Sequence, residues 1–189
     1  MNDRKNTLSA ISLFSGAGGM DLGFERAGFD VHWSNDLDGT ACETYQTNFQ
    51  TENVSGPIEL LAKSLKRFSD VDCVFGGPPC QGFSVAGKMD LDDPRSKLVY
   101  QFMDIISALR PKSFVMENVP SLATLNKFTK FREQLVQHAH SLGYATDLQI
   151  FSSSEFGVPQ DRRRMFFVGV LGNRDVDLRQ RSRAYLKTA

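Results

Sequence analysis

Ala10-Ile11-Ser12-Leu13-Phe14-Ser15-Gly16-Ala17-Gly18-Gly19 is the stretch that decides the fold. Ala10 to Phe14 is a short apolar run of strand type. Ser15 to Gly19 is a turn whose glycines let backbone lie close to a ligand. Met20, Leu22, Phe24 and Ala27 then suggest a helix that ends near Gly28. The reading is strand, tight turn, helix. A tight structural turn accounts for the glycines as well as a ligand does. The dinucleotide fingerprint is incomplete, because Asp21 stands where its third glycine would be.

The same alternation continues outward. Val31 to Ser34 is a second strand, Asp38 to Phe49 a second helix, and Leu60, Leu61, Leu65 and Phe68 space as a third helix. Val71 to Phe75 is a strand that runs into Gly76-Gly77-Pro78-Pro79-Cys80. Leu98 to Leu109 repeats at helical spacing, and Ser113 to Met116 is again a strand. Leu125 to Leu142 predicts one long amphipathic helix that stops at Gly143, and Thr146 to Phe151 and Met165 to Val170 close the pattern as strands. Strands feeding helices in this way predict an α/β, doubly wound, mostly parallel sheet, with ligands at the strands' carboxyl ends.

Bulk composition agrees with one soluble domain of 189 residues, 41% hydrophobic and 23% charged. The formal net charge is zero, so the chain as a whole has no attraction for nucleic acid. Basic residues gather locally, at Arg162, Arg163 and Arg164 and in a tail from 171 to 189. The three cysteines, Cys42, Cys73 and Cys80, suit a reducing compartment rather than a disulfide framework. No signal-type apolar run begins the chain and none is long enough to span a membrane, so a cytoplasmic protein is expected.

Four places carry candidate chemistry. Asp36 follows the second strand at about the distance expected of an acid that bonds a ribose, although Asn35 and Asp36 could equally cap the next helix. In Gly76-Gly77-Pro78-Pro79-Cys80-Gln81 two prolines stiffen the chain ahead of a cysteine and fix where its sulfur points. Cys80 is therefore the nucleophile candidate, whereas Cys73 sits inside an apolar run and reads as core. Glu117 ends a strand of the same sheet, so its carboxylate is either catalytic or a satisfied structural acid. Gln160-Asp161-Arg162-Arg163-Arg164 joins the last two strands, where arginines bind phosphate or base edges, or simply face water.

Taken in order, Phe14-x-Gly16-x-Gly18-Gly19, Pro78-Pro79-Cys80-Gln81, Glu117-Asn118-Val119 and Gln160-x-Arg162-x-Arg164 resemble the cytosine-5 DNA methyltransferase family, from about Ile11 to Val170. The resemblance implies the class I S-adenosylmethionine-dependent methyltransferase fold, with a seven-stranded sheet whose last strand is antiparallel. It implies S-adenosylmethionine as cofactor, held by Phe14, Gly16, Ala17, Gly19, Asp36, Leu37, Ile58, Pro79 and Leu98. It further implies Cys80, Glu117, Arg162 and Arg164 as catalytic residues acting on a cytosine flipped out of double-stranded DNA. A tRNA cytosine methyltransferase and a non-catalytic cofactor- or DNA-binding module are the alternatives.

Two departures stand out. The family commonly has an Asp directly after the glycine that follows the third strand, to contact the adenine amine; here Pro57 follows Gly56, leaving the backbone at Ile58 to serve. Family members also continue past the arginine hairpin into a target-recognition region, which points to a second polypeptide, a truncated frame or a fragment. The chain is expected to be a single catalytic and cofactor-binding domain over 1–189 with a basic tail.

Overall fold

The computed structural model describes residues 7–79, 97–172 and 176–179. Its centre is a seven-stranded sheet built from β1 (Leu8–Leu13), β2 (Phe29–Asp36), β3 (Glu52–Ser55), β4 (Cys73–Gly76), β5 (Ser113–Asn118), β6 (Tyr144–Ser152) and β7 (Arg163–Leu171). The spatial order is β3-β2-β1-β4-β5-β7-β6. The first five of these run parallel, and β7 lies antiparallel between β5 and β6. After β1 the chain works outward to β2 and β3, then returns to place β4 on the other side of β1. The loops leaving β1 and β4 therefore diverge, and the crevice they open is where ligands of such sheets bind.

Burial explains the order. All of β4, Cys73 to Gly76, is buried, as is Ala10 to Leu13 of β1, so these two apolar strands occupy the middle. The larger core packs Ile11, Leu13, Val74, Phe114, Met116 and Phe167 beneath α4 (Lys97–Leu109) and α6 (Thr129–Ser141). From α4 it receives Val99, Phe102, Met103, Ile105, Ile106 and Leu109, a stripe recurring every three or four residues. A smaller core of Ala10, Val31, Cys73 and Phe75 packs against Met20 and Phe24 of α1 (Gly19–Arg26). There Phe24 stacks on Phe75 with ring centres 3.7 Å apart. No helix among the described residues is long and apolar enough to cross a membrane.

Three elements differ from the sequence expectation. β3 is a strand that residue patterning missed. Glu-Asn-Val-Ser has no apolar alternation; the strand pairs parallel with Trp33 to Asp36 of β2, and side chains brace the pairing. Asn35, itself buried, donates to the carbonyls of Val54 and Gly56 at 2.9 and 2.8 Å, and Asn53 donates to Ser34 Oγ at 2.7 Å. The expected third helix is a short α turn, α3 (Ile58–Leu61), followed by a 3-10 segment, Ala62–Phe68.

The expected helix from Leu125 to Leu142 is broken. α5 (Pro120–Thr124) ends at Leu125, whose backbone is extended, and α6 starts only at Thr129 after a 3-10 turn. Leu125 still packs against the core, so its apolar spacing survives while its helical geometry does not. The Arg132 guanidinium donates to the carbonyls of Leu122 and Leu125, both at 2.9 Å, which satisfies acceptors that a continuous helix would have paired itself.

Candidate active site

The turn after β1 is built around two special backbone positions. Phe14 is left-handed at φ 56°, a strained conformation for a residue with a side chain, and it still packs against the larger core. Gly18 has φ 91° and lies so close to the Phe49 ring that a Cβ there would collide with it. Ser15 N–H donates to Asn35 O at 2.8 Å, which locks the turn to the end of β2.

Asp36 completes the lock. Its Oδ2 accepts from Gly16 N–H at 2.7 Å and its Oδ1 from Asp38 N–H at 2.9 Å. The cap of α2 (Gly39–Asn48) is Asp38, which accepts from the Thr40 and Ala41 N–H groups; Asn35 reaches β3 and caps nothing. Beside this lock lies a cavity of about 200 Å³, lined by Phe14, Asp36, Leu37, Ile58, Pro79 and Leu98, together with Asn35, Gly56, Pro57, Glu59 and Gly77. Gly16, Ala17 and Gly19 form the adjoining turn and do not line it. Apolar walls with a carboxylate at the turn suit an adenosine: a flat base against the side chains and hydroxyl donors toward Asp36.

Across β4 the ends of β5 and β7 bring together the acid and the arginines. Glu117 Oε1 lies 2.7 Å from Arg164 Nε, with both side chains mostly shielded from water. Burial pushes the Glu117 carboxyl above its ordinary range, and the charges of Arg164 and Arg162 pull back against that rise. Antiparallel pairing explains the meeting of residues so far apart in sequence, since Glu117 sits opposite Phe166 on β7, two residues from Arg164. Asn118, buried, donates from Nδ2 to Pro78 O at 3.2 Å and fastens the proline pair to the end of β5.

Glu117, Arg162 and Arg164 line a second cavity, of about 640 Å³, with Met20, Val115, Phe151, Phe166 and Val168 among its apolar walls. Gly77 stands between the two cavities. It lines the smaller one, and a Cβ there would lie 3.3 Å from Glu117 Oε2 in the larger. Cys80 lies outside the described residues, as do Gln81 and most of the basic tail; the described lead-in to Cys80 ends at Pro79.

Residues 8–188 match the C-5 cytosine-specific DNA methylase family. The chain belongs to that family. It is 39% identical over 168 residues to the type II methyltransferase M.XorII of Xanthomonas oryzae pv. oryzae, covering 84% of this chain and 39% of the relative. It is 41% identical over 177 residues to M1.HphI of Haemophilus parahaemolyticus, covering 86% and 46% respectively. Among solved structures, a prophage-encoded protein from E. coli described as a DNA modification methyltransferase superposes with a TM-score of 0.76 at 37% identity, over 87% of this chain and 47% of that one. This chain thus has the S-adenosylmethionine-dependent methyltransferase fold and spans about half the length, or less, of these relatives.

Within this chain the structure draws Phe14, Asp36, Leu37, Ile58, Pro79 and Leu98 around one cavity and Glu117, Arg162 and Arg164 around the other. Sequence reasoning overlooked three residues. Asn118 gave no signal beyond its place in a motif, yet it holds the proline loop. Glu59 lines the smaller cavity from α3, which begins two residues before Leu60, where the apolar spacing starts. Asp21, noted only as a missing glycine, is buried and accepts from Ser12 Oγ at 3.0 Å and Tyr45 Oη at 2.9 Å, tying β1, α1 and α2 together.

Proposed function

We propose that this chain is the catalytic part of a DNA cytosine-5 methyltransferase of the restriction–modification kind, with residues 1–189 forming one catalytic and cofactor-binding domain in a reducing cytoplasm. The observation that carries the reading is the Glu117–Arg164 pair at 2.7 Å, set across Gly77 from the cavity that Asp36 and the apolar side chains line. An acid on one side of a bare glycine and a recess walled by apolar side chains and Asp36 on the other suit transfer of a small group between two bound molecules. The matched family is one of DNA methylases, which favours DNA over RNA as substrate.

S-Adenosylmethionine, when bound, supplies an electrophilic methyl group. Phe14, Leu37, Ile58, Pro79 and Leu98 would enclose its adenosine, and Asp36 would accept from the ribose hydroxyls while holding Gly16. Gly16, Ala17 and Gly19 would present bare backbone at the turn. The target cytosine must leave the duplex to reach the site. The Cys80 thiolate would form a bond to C6, which moves electron density onto C5. C5 would then accept the methyl group that the bound cofactor supplies, and loss of the C5 proton would expel the Cys80 thiolate. Glu117, with a carboxyl raised by burial, would share its proton with N3 and receive the exocyclic amine. Arg164 would steady Glu117, and Arg162 would hold the base's carbonyl oxygen.

The decisive experiment is covalent capture on duplex DNA containing 5-fluorocytosine in the presence of S-adenosylmethionine, where the fluorine blocks release. The wild-type chain should form a denaturant-resistant adduct, and Cys80→Ser should form none while remaining folded. Undiminished methyl transfer by Cys80→Ser would end the proposal.

Reading of the target sequence is proposed to reside in polypeptide beyond these 189 residues, in the same or a partner chain, because the matched relatives are about twice as long. The 189 residues alone should bind DNA without sequence preference and with steep salt dependence, as phosphate contacts dictate. Bisulfite mapping that showed robust methylation at one defined sequence by these residues alone would overturn this.

A further inference from the structure

The ladder between β6 and β7 closes with Ser152 opposite Arg163, and one more pair beyond it is completed by a side chain. Ser153 N–H donates to Arg162 O at 3.1 Å, which is half of an antiparallel pair. The other half of such a pair is Arg162 N–H on the Ser153 carbonyl. That carbonyl accepts instead from Val158 N–H at 3.3 Å, turned into the loop. Ser153 Oγ takes its place: it accepts from Arg162 N–H at 3.2 Å and donates its own proton to Gln160 O. The N–H, carbonyl and hydroxyl of one serine thus hold the loop at Val158, Gln160 and Arg162.

What the loop delivers is Arg162. This residue stands just ahead of β7, outside the strand. Two residues on, Arg164 is fixed by its 2.7 Å contact with Glu117. The Arg162 guanidinium has no hydrogen bond or ion pair among the described residues, so its side chain goes where its backbone points it. Residues two apart in an extended chain share a face. The extra pair at Ser153 carries that alternation one step past the strand and keeps Arg162 on the face of Arg164. On that face both arginines, Glu117 and Ser153 itself line the larger cavity. The loop has other braces, from Ser152 Oγ to Asp161 Oδ1 at 2.6 Å and from Gln160 N–H to Val158 O at 2.8 Å, so losing one hydroxyl should not open it.

We propose that Ser153 is a positioning residue of this site, whose hydroxyl stands in for a main-chain carbonyl and aims Arg162 into the cavity that receives the target base. The proposal rests on the catalytic reading above, and the experiment separates the two.

The rate of covalent capture on 5-fluorocytosine duplex is measured at single turnover on the whole chain, beside a melting curve and S-adenosylhomocysteine calorimetry. Ser153→Ala leaves Arg162 N–H without its acceptor and should slow capture about tenfold, with melting and cofactor affinity near wild type. Ser153→Thr, which keeps the hydroxyl, should restore the rate. In an Arg162→Ala background, itself slow, Ser153→Ala should cost nothing further, because the residue through which it acts is gone. A Ser153→Ala variant at the wild-type rate overturns the assignment. So does the same fractional loss with and without Arg162, or a loss that follows the melting temperature alone; in each case the catalytic reading stands. A wild type that captures no DNA overturns the catalytic reading and this inference with it.

Discussion

Asp21 and Glu117 are both carboxylic acids withdrawn from water in the same sheet, and they live under opposite rules. Asp21 sits beneath the β1 turn, wholly inaccessible, with the hydroxyls of Ser12 and Tyr45 as partners. Burial raises its carboxyl from 3.8 to about 6, and the two hydroxyl bonds only partly restrain the rise. Glu117 sits at the mouth of a 640 Å³ cavity with an arginine 2.7 Å away. Burial raises it too, but here the opposing influence is cationic charge rather than neutral hydroxyls. Desolvation alone therefore does not mark a functional acid. What separates the two is access and the kind of partner: neutral donors sealed in make a structural clamp, and a cation beside open space makes a group that can exchange protons with a ligand.

The contrast is broken most severely by Glu117→Gln. The amide keeps size and can still meet Arg164, so thermal stability should stay near wild type, while methyl transfer falls by about 10²–10⁴-fold, the usual contribution of a positioned acid. A single-turnover assay beside a melting curve would show it. Loss of fold instead of rate would move Glu117 into the same class as Asp21.

The second effect is on stability. In the unfolded chain Asp21 ionises near its ordinary value of 3.8, and in the folded chain near 6. The unfolded state releases the proton first, so this group's contribution is full below about pH 4, fades as pH rises through about 6, and is flat above. The change amounts to about 3 kcal/mol, from roughly two units at 1.36 kcal/mol each. Urea titrations across that range should show a slope that Asp21→Asn flattens, with methyl-transfer chemistry at pH 8 little altered. A slope identical in the variant would mean that Asp21 is not the titrating group.

Asp36 sharpens the comparison from a third position, half-buried and bonded to backbone N–H groups on both oxygens. Asp36→Ala should weaken S-adenosylmethionine binding by about 1–3 kcal/mol, the usual loss when donors are left unpaired, and NAD should not bind either form. Comparable NAD affinity measured by calorimetry would contradict the cofactor assignment.

The sheet was largely legible because its central strands are apolar in sequence: Ile11 to Leu13, Val74 and Phe75, and Phe114 to Met116 declare themselves without structure. β3 was not, because Glu52 to Ser55 carries no apolar alternation, and the parallel ladder to β2 with the Asn35 and Asn53 bonds that brace it leaves no periodic trace. The helix that breaks at Leu125 was misread for a related reason, since spacing reports which residues face the core and not whether the backbone between them is continuous. In the site, local motifs pointed to Asp36, Glu117 and the arginines one by one. That Glu117 pairs with Arg164 follows from antiparallel register, which no local window contains. Glu59 stayed hidden because an acid on the first turn of a short helix is also what the helix dipole favours.

Gly77 has a consequence for how this position tolerates change. With Glu117 Oε2 only 3.3 Å from where a Cβ would sit, even a methyl group would press on the carboxylate that Arg164 holds. Any larger substituent must therefore push that oxygen aside by a few tenths of an ångström, against the hold of Arg164. In a saturation library scored separately for abundance and for methylation, position 77 would split the two scores: well-expressed variants, uniformly silent.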